Sequence, residues 1–173
     1  MEILAVLLIL AVITMFSLPA VRATRSLVQH HQAKSAALKM AEAMRTYYQS
    51  TKGYLITGNL RGKLVEGDDE SGTIRSVVTA SDPTLCDNPA VTGIPPTELN
   101  RTSSMIQLFA CGYLSTKDFA GLPYTFYAHD DPFNKSNNND NLILLTVTGT
   151  ADAGTYQNKS FTVHRDGSIR EVE

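Results

Sequence analysis

The 173-residue chain has no tryptophan, only two cysteines and only four histidines. Cys86 and Cys111 are not in a Cys-x-x-Cys pair and the histidines are scattered, so a zinc site, which needs clustered N and S ligands, is not supported. Charged residues make up 18% of the chain and the formal net charge is −2. A basic field of the kind that draws in nucleic acid is therefore missing, and no nucleic-acid partner is expected. Also missing are a Gly-x-Ser-x-Gly turn, a Gly-rich phosphate loop and a His-Glu-x-x-His pair. Cys111 could serve as a nucleophile only beside a base such as His129 or His164, and Cys86 stands ready as its bonding partner instead. These absences leave no catalytic residue to name, and no enzyme is expected.

Positive charge is also lacking at the start. Residues 1–21, MEILAVLLILAVITMFSLPAV, form a nearly unbroken apolar run with Glu2 at its head and Pro19 near its end. No Lys or Arg precedes the run, it is longer than the apolar part of a secretory signal, and Ala20 to Ala23 offers only a loose cleavage site. At about 1.5 Å rise per residue the run covers roughly 30 Å as a helix, the thickness of a bilayer's hydrocarbon core. A retained membrane helix is the expectation. Glu2 is then an ionisable group in lipid, a costly placement usually kept for a partner.

Past Val21 the helical pattern continues but its character changes. Arg22 and Arg25 mark the water interface, and residues 26–52 contain neither Gly nor Pro. Ala37, Met40, Ala41, Met44, Tyr47 and Tyr48 recur at the spacing of one helix face. Lys34, Lys39, Glu42 and Arg45 fall mostly off that stripe. The spacing predicts one helix of about fifty residues, apolar over 1–21 and amphipathic over 22–53, with Gly53 ending it and Pro19 bending or locally unwinding it. The stripe is read as a face packed on the protein's own sheet. His30 and His31 lie about 100° apart on a helix, cannot easily share a metal, and are read as polar surface or a subunit contact.

Residues 54–173 form one remaining stretch, long enough for a single head domain. Residues 54–85 carry turn signals at Thr57-Gly58-Asn59, Arg61-Gly62 and 67–72, with 73–79 the one plausible short strand. The acidic cluster Asp68, Asp69 and Glu70 lacks the alternating ligand spacing of a calcium loop. Residues 81–100 are Pro-rich and read as a loop bearing Cys86. Residues 102–114 read as a short helix capped by Thr102 or Ser103. From Tyr124 the apolar period becomes two, giving strands over 124–129, 142–148, 156–165 and 168–172, with Asp166-Gly167 as a hairpin turn. The pattern predicts an α+β fold, a long N-terminal helix packed on a C-terminal antiparallel sheet. If that head is exported, the single cysteine pair reads as a Cys86–Cys111 disulfide; two buried free thiols are the alternative.

The opening Met1-Glu2-Ile3-Leu4-Ala5-Val6-Leu7-Leu8, the spacing from Glu2 to Pro19 and the amphipathic continuation resemble the N-terminal helix of type IV pilins and type II secretion pseudopilins. The likeness is specific over residues 1–54 and only architectural beyond. It departs at the front, where the family's basic leader, its terminal Gly and the first mature residues are missing, so Met1 is expected to be an internal Met of a longer precursor. The resemblance implies a pilin-like fold and a single-pass protein of the bacterial inner membrane with a periplasmic head. It implies removal of a leader by a prepilin peptidase, methylation of the new N-terminus, and passage through an assembly platform into a pilus or pseudopilus. Other pilin or pseudopilin subunits would be its partners, with Glu2 and Pro19 as the assembly residues. The alternative function is a minor-pilin binding module that recognises DNA or a surface ligand at a filament tip, for which Lys159, Arg165 and Arg170 are the only tight basic grouping. Some pseudopilins hold calcium between C-terminal strands. The candidates here are Asp130, Asp131, Asn134 and Asp140, whose oxygens suit a hard cation, although a solvated Asn-rich loop is the preferred reading and no cofactor is expected.

Overall fold

The computed structural model describes residues 2–51, 55–61, 86, 102–129 and 142–172, and ahead of Ala20 the side chains of Ile3, Val6, Leu7 and Ile13 alone. Helix α1, Glu2–Ser50, runs for 49 residues. The helix passes through Pro19 without interruption, so of the bend or local unwinding expected at that residue the unwinding is not seen. The helix closes with the Thr51 amide and hydroxyl both donating to the Tyr47 carbonyl, at 2.9 and 2.8 Å. Gly53, expected to end it, lies outside the described residues.

The head is built on strands β1 (Leu55–Arg61), β2 (Thr102–Ser104), β3 (Tyr124–Ala128), β4 (Ile143–Gly149), β5 (Ser160–His164) and β6 (Ile169–Val172). They lie in the order β2-β1-β3-β4-β5-β6. All neighbours are antiparallel except β1 and β2. The architecture is α+β, a long N-terminal helix on a mainly antiparallel sheet. A short helix α2, Ile106–Ala110, and a 3-10 turn, Thr116–Asp118, precede β3. A second 3-10 segment, Ala151–Tyr156, joins β4 to β5.

Two expectations need correction. Residues 57–59, read as a turn, are strand: Gly58 pairs with Ala128 and Asn59 with Tyr127. Thr102 and Ser103, read as helix caps, pair in parallel with Leu55 and Ile56, and the helix begins later. In both cases a backbone partner distant in sequence overrides the local preference of Gly, Asn, Thr and Ser for turns and caps.

The core forms where the helix stripe meets the alternating sheet face. Ala33, Ala36, Ala37, Met40, Ala41, Met44 and Tyr47 are buried on the helix. Tyr124, Phe126 and Ala128 on β3, Leu145 and Val147 on β4, and Phe161 and Val163 on β5 are buried opposite them. Phe126 stands beside Val147, and Val147 beside Phe161, in one cross-strand row. Strand β4 buries Leu144 as well as Leu145, a break in alternation that coincides with an irregularity in its pairing between Ile143 and Leu145. Phe119 links the sheet to α2, its ring 5.4 Å from those of Phe109 and Phe126 in edge contacts. The many alanines let the helix backbone approach the aromatic sheet face closely.

Candidate assembly surface

Among the described residues, Ser26 is the first buried side chain of α1, its hydroxyl 3.0 Å from that of Thr155. On the N-terminal side of that point the described side chains are exposed: Ile3 is 78% accessible, Leu7 59%, Ile13 57% and Val21 64%. An apolar helix face left uncovered over several turns marks an interaction surface. Burial of each such aliphatic side chain is worth about 1.5–3 kcal/mol, so a neighbouring apolar phase or helix holds it strongly. Glu2 and Pro19 both lie within this part of α1; their side chains are outside the described set. Among the described residues, no helix is long and apolar enough to cross a membrane.

Cys86 and Cys111 are joined in a disulfide, which settles the choice between a bridge and two free thiols. The bridge ties the Pro-rich stretch to the residue that ends α2. It also removes Cys111 as a nucleophile. His129, one of its imagined bases, instead sits 2.7 Å from the Thr146 hydroxyl on the outer sheet face. His164 sits 3.0 Å from that of Thr162. Among the described residues, no three His, Cys, Asp or Glu side chains come together as a metal site. Asp130, Asp131, Asn134 and Asp140 lie outside those residues, as do Asp68, Asp69, Glu70 and the strand expected over 73–79. The basic grouping resolves into separate roles: Lys159 lies 5.6 Å from the Tyr156 ring, the Arg165 carbonyl accepts from Arg45 at 2.5 Å, and Arg170 is exposed on β6.

The structure corrects the reading of His30, which is 5% accessible and not surface. Its ring stacks on Tyr156 at 3.9 Å between centroids and 7° between planes. Nε2 is 3.4 Å from Glu171 Oε1, and Nδ1 is 3.1 Å from the Tyr124 hydroxyl. Because the carboxylate can only accept, Nε2 carries the proton, leaving Nδ1 to accept from the Tyr124 O–H. Burial lowers the His30 pKa below its ordinary value, outweighing the opposing pull of Glu171. Burial also pushes the Tyr124 phenol up to about 12. For Glu171 burial is the largest influence and acts upward, yet its pKa is lowered in sum by Lys34 and His30. With His30 neutral, Lys34, which ion-pairs with Glu171, is the cation that holds that carboxylate charged. This cluster pins β6, the last strand, to the helix. The signal for it in the sequence was position: His30 is three residues before Ala33, on the line of the buried stripe.

No family model, curated protein or solved structure matches the chain.

Proposed function

We propose that this chain is a structural subunit of an inner-membrane-assembled filament, of the type IV pilin or type II secretion pseudopilin kind, and that it has no catalytic role. The observation that carries this reading is the division of α1: one face of it packs on the head from Ser26 onward, while the described aliphatic side chains ahead of that point are uncovered. Such a surface suits lipid before assembly and other helices afterwards, with one set of side chains serving both. The head is periplasmic in this reading, consistent with the oxidised Cys86–Cys111 pair. A prepilin peptidase, an assembly platform and sibling subunits are the partners it requires.

Glu2 provides the test. In a filament its carboxylate is desolvated, and an unpaired charge there costs several kcal/mol, which favours docking beside a neighbour's N-terminal amine. Glu2→Ala is expected to leave membrane-inserted, disulfide-bonded monomer at parental levels while assembled filament falls sharply. Sheared filaments and membrane fractions from the same cells measure both quantities. Equal assembly by variant and parent would refute the role given to Glu2.

A further inference from the structure

The side of α1 that faces the head continues past the end of the core. At 100° per residue, Arg22, Arg25, Ser26 and Gln29 fall within an arc of about 100° that overlaps the arc of the buried stripe from Ala33 to Tyr47. The two arginines therefore stand on the head-facing side of the helix, where it overhangs the rim of the head. With Gly121, Pro123, Asp152 and Gly154 they line a crevice of about 440 Å³, a volume within the range of small-ligand sites. The Ser26–Thr155 contact lies at its margin, and the Pro123 carbonyl is fixed by the amide and hydroxyl of Thr150, at 2.9 and 3.0 Å. Among the described residues, neither Arg22 nor Arg25 has a hydrogen-bond or ion-pair partner.

Two guanidinium groups on one wall suit a phosphate, whose oxygens match their paired donors. The Asp152 carboxylate on the other wall disfavours a simple anion and favours a ligand that also carries an ammonium. Arg22 follows directly on the apolar run, so in a membrane-anchored chain the crevice stands at the depth of the lipid headgroups. We propose that the crevice binds the phosphoethanolamine headgroup of a membrane phospholipid, with Arg22 and Arg25 on the phosphate and Asp152 on the ammonium. This rests on the membrane-anchored reading of residues 1–21. A lipid held there bridges α1 and the 151–156 segment and fixes the angle at which the head stands on the bilayer.

Full-length protein in a neutral maltoside micelle, titrated with dihexanoyl phosphatidylethanolamine, dihexanoyl phosphatidylglycerol or inorganic phosphate, tests the assignment. The readout is the NMR shift of the arginine Nε–H and Gln29 amide signals. The ethanolamine lipid is expected to saturate these shifts at about tenfold lower concentration than either other probe, the loss expected for one charge-assisted contact. Arg22→Gln with Arg25→Gln should weaken all three, and Asp152→Asn should abolish the preference for ethanolamine over glycerol; all three sites are exposed, and an unchanged melting profile confirms the fold. Three results overturn the proposal: no saturable shift in the parent, a preference that survives Asp152→Asn, or phosphate binding as tightly as the lipid. Flotation with phosphatidylcholine vesicles tests anchoring separately. A chain that binds the headgroup in micelles but fails to float defeats the membrane reading, and with it the lipid as the ligand's source. A chain that floats but does not bind defeats the headgroup assignment alone.

Discussion

Replacing Gly149 by alanine should cost more than its place at the end of a strand suggests. Its amide donates to the Lys159 carbonyl at 3.0 Å, and its own carbonyl accepts from Asn158 at 2.9 Å. The β4–β5 connection is thus folded tightly over it. A Cβ there would stand 2.1 Å from the Tyr156 carbonyl oxygen and 3.0 Å from Ala153 Cβ. Non-bonded atoms sit comfortably at about 3.5 Å, so the Tyr156 carbonyl must retreat by more than about 1 Å. That carbonyl accepts the Lys159 amide at 3.2 Å, a bond worth about 1 kcal/mol. With packing strain of about 1–3 kcal/mol, the total is roughly 2–4 kcal/mol. Gly167→Ala is the comparison: nothing lies within 4 Å of its added Cβ, but φ is +83°, and a left-handed L-residue costs roughly 1–2 kcal/mol. Urea unfolding of the full chain in micelles, followed by tyrosine near-UV circular dichroism, measures both. Since Tyr156 is stacked on His30, Gly149→Ala should also alter the native tyrosine signal while Gly167→Ala leaves it intact. A Gly149→Ala cost below about 0.5 kcal/mol, the range of an inert surface change, with an unaltered tyrosine signal would refute this reasoning.

Three further outcomes follow. Cys86→Ser with Cys111→Ser should cost about 3 kcal/mol, because the bridge spans a sequence separation of 25 residues; unfolding of parent and variant, with and without reductant, checks it, and an insensitive parent counts against it. Because the folded chain keeps His30 neutral more readily than the unfolded chain does, the imidazole's contribution is present above its ordinary pKa of 6.5 and is lost as pH falls below it. Stability of the parent should decline from pH 7 to 5.5, and His30→Gln should be less stable at pH 7 but flatter over that window, so an equal slope in both sinks the assignment. Met44→Ala, at a site 1% accessible, should cost about 2–5 kcal/mol in the same unfolding experiment, and a value below 1 kcal/mol would place the helix stripe outside the core.

The parts of the fold legible in the sequence were those with a period. The Met/Tyr stripe of α1 is buried as its spacing implied, with Tyr48 only half-buried at its margin. Strands β3, β4 and β6 lie close to the expected bounds, and Asp166-Gly167 lies in the turn between β5 and β6. What escaped had no local signature. Strand β1 contains Gly58 and Asn59, poor strand formers held by pairing with β3. Strand β2 is three residues long, too short for alternation to register. A 3-10 segment after β4 runs to Tyr156, so β5 starts at Ser160 and not at the expected residue 156. His30 was misread because an imidazole on a helix gives no hint of what the fold will lay over it. Its surroundings come from three other segments, through Tyr124, Tyr156 and Glu171.

The proposed filament role makes a demand on the sheet's edge at β6. An open edge strand is a template for pairing with another chain, and folds blunt it by shortness and charge. Strand β6 has four residues, among them Arg170 and Glu171, and all but Ile169 are exposed. Glu171 is turned to the helix by Lys34 and His30, so the strand is anchored sideways as well as paired with β5. An incoming strand at this edge would meet alternating charge on a short, tethered segment. Growth by sheet extension is disfavoured there, while the uncovered side chains of Ile3, Val6, Leu7, Ile13 and Val21 offer contact area on the N-terminal part of α1. Among the described residues the buried core draws on α1 from Ala33 to Tyr47, with Tyr48 packed against it, so substitutions at Ile3, Val6, Leu7, Ile13 and Val21 are expected to change what the helix binds without weakening the head. The proposed filament would then be held together through the helix, with the β6 edge kept closed to partners.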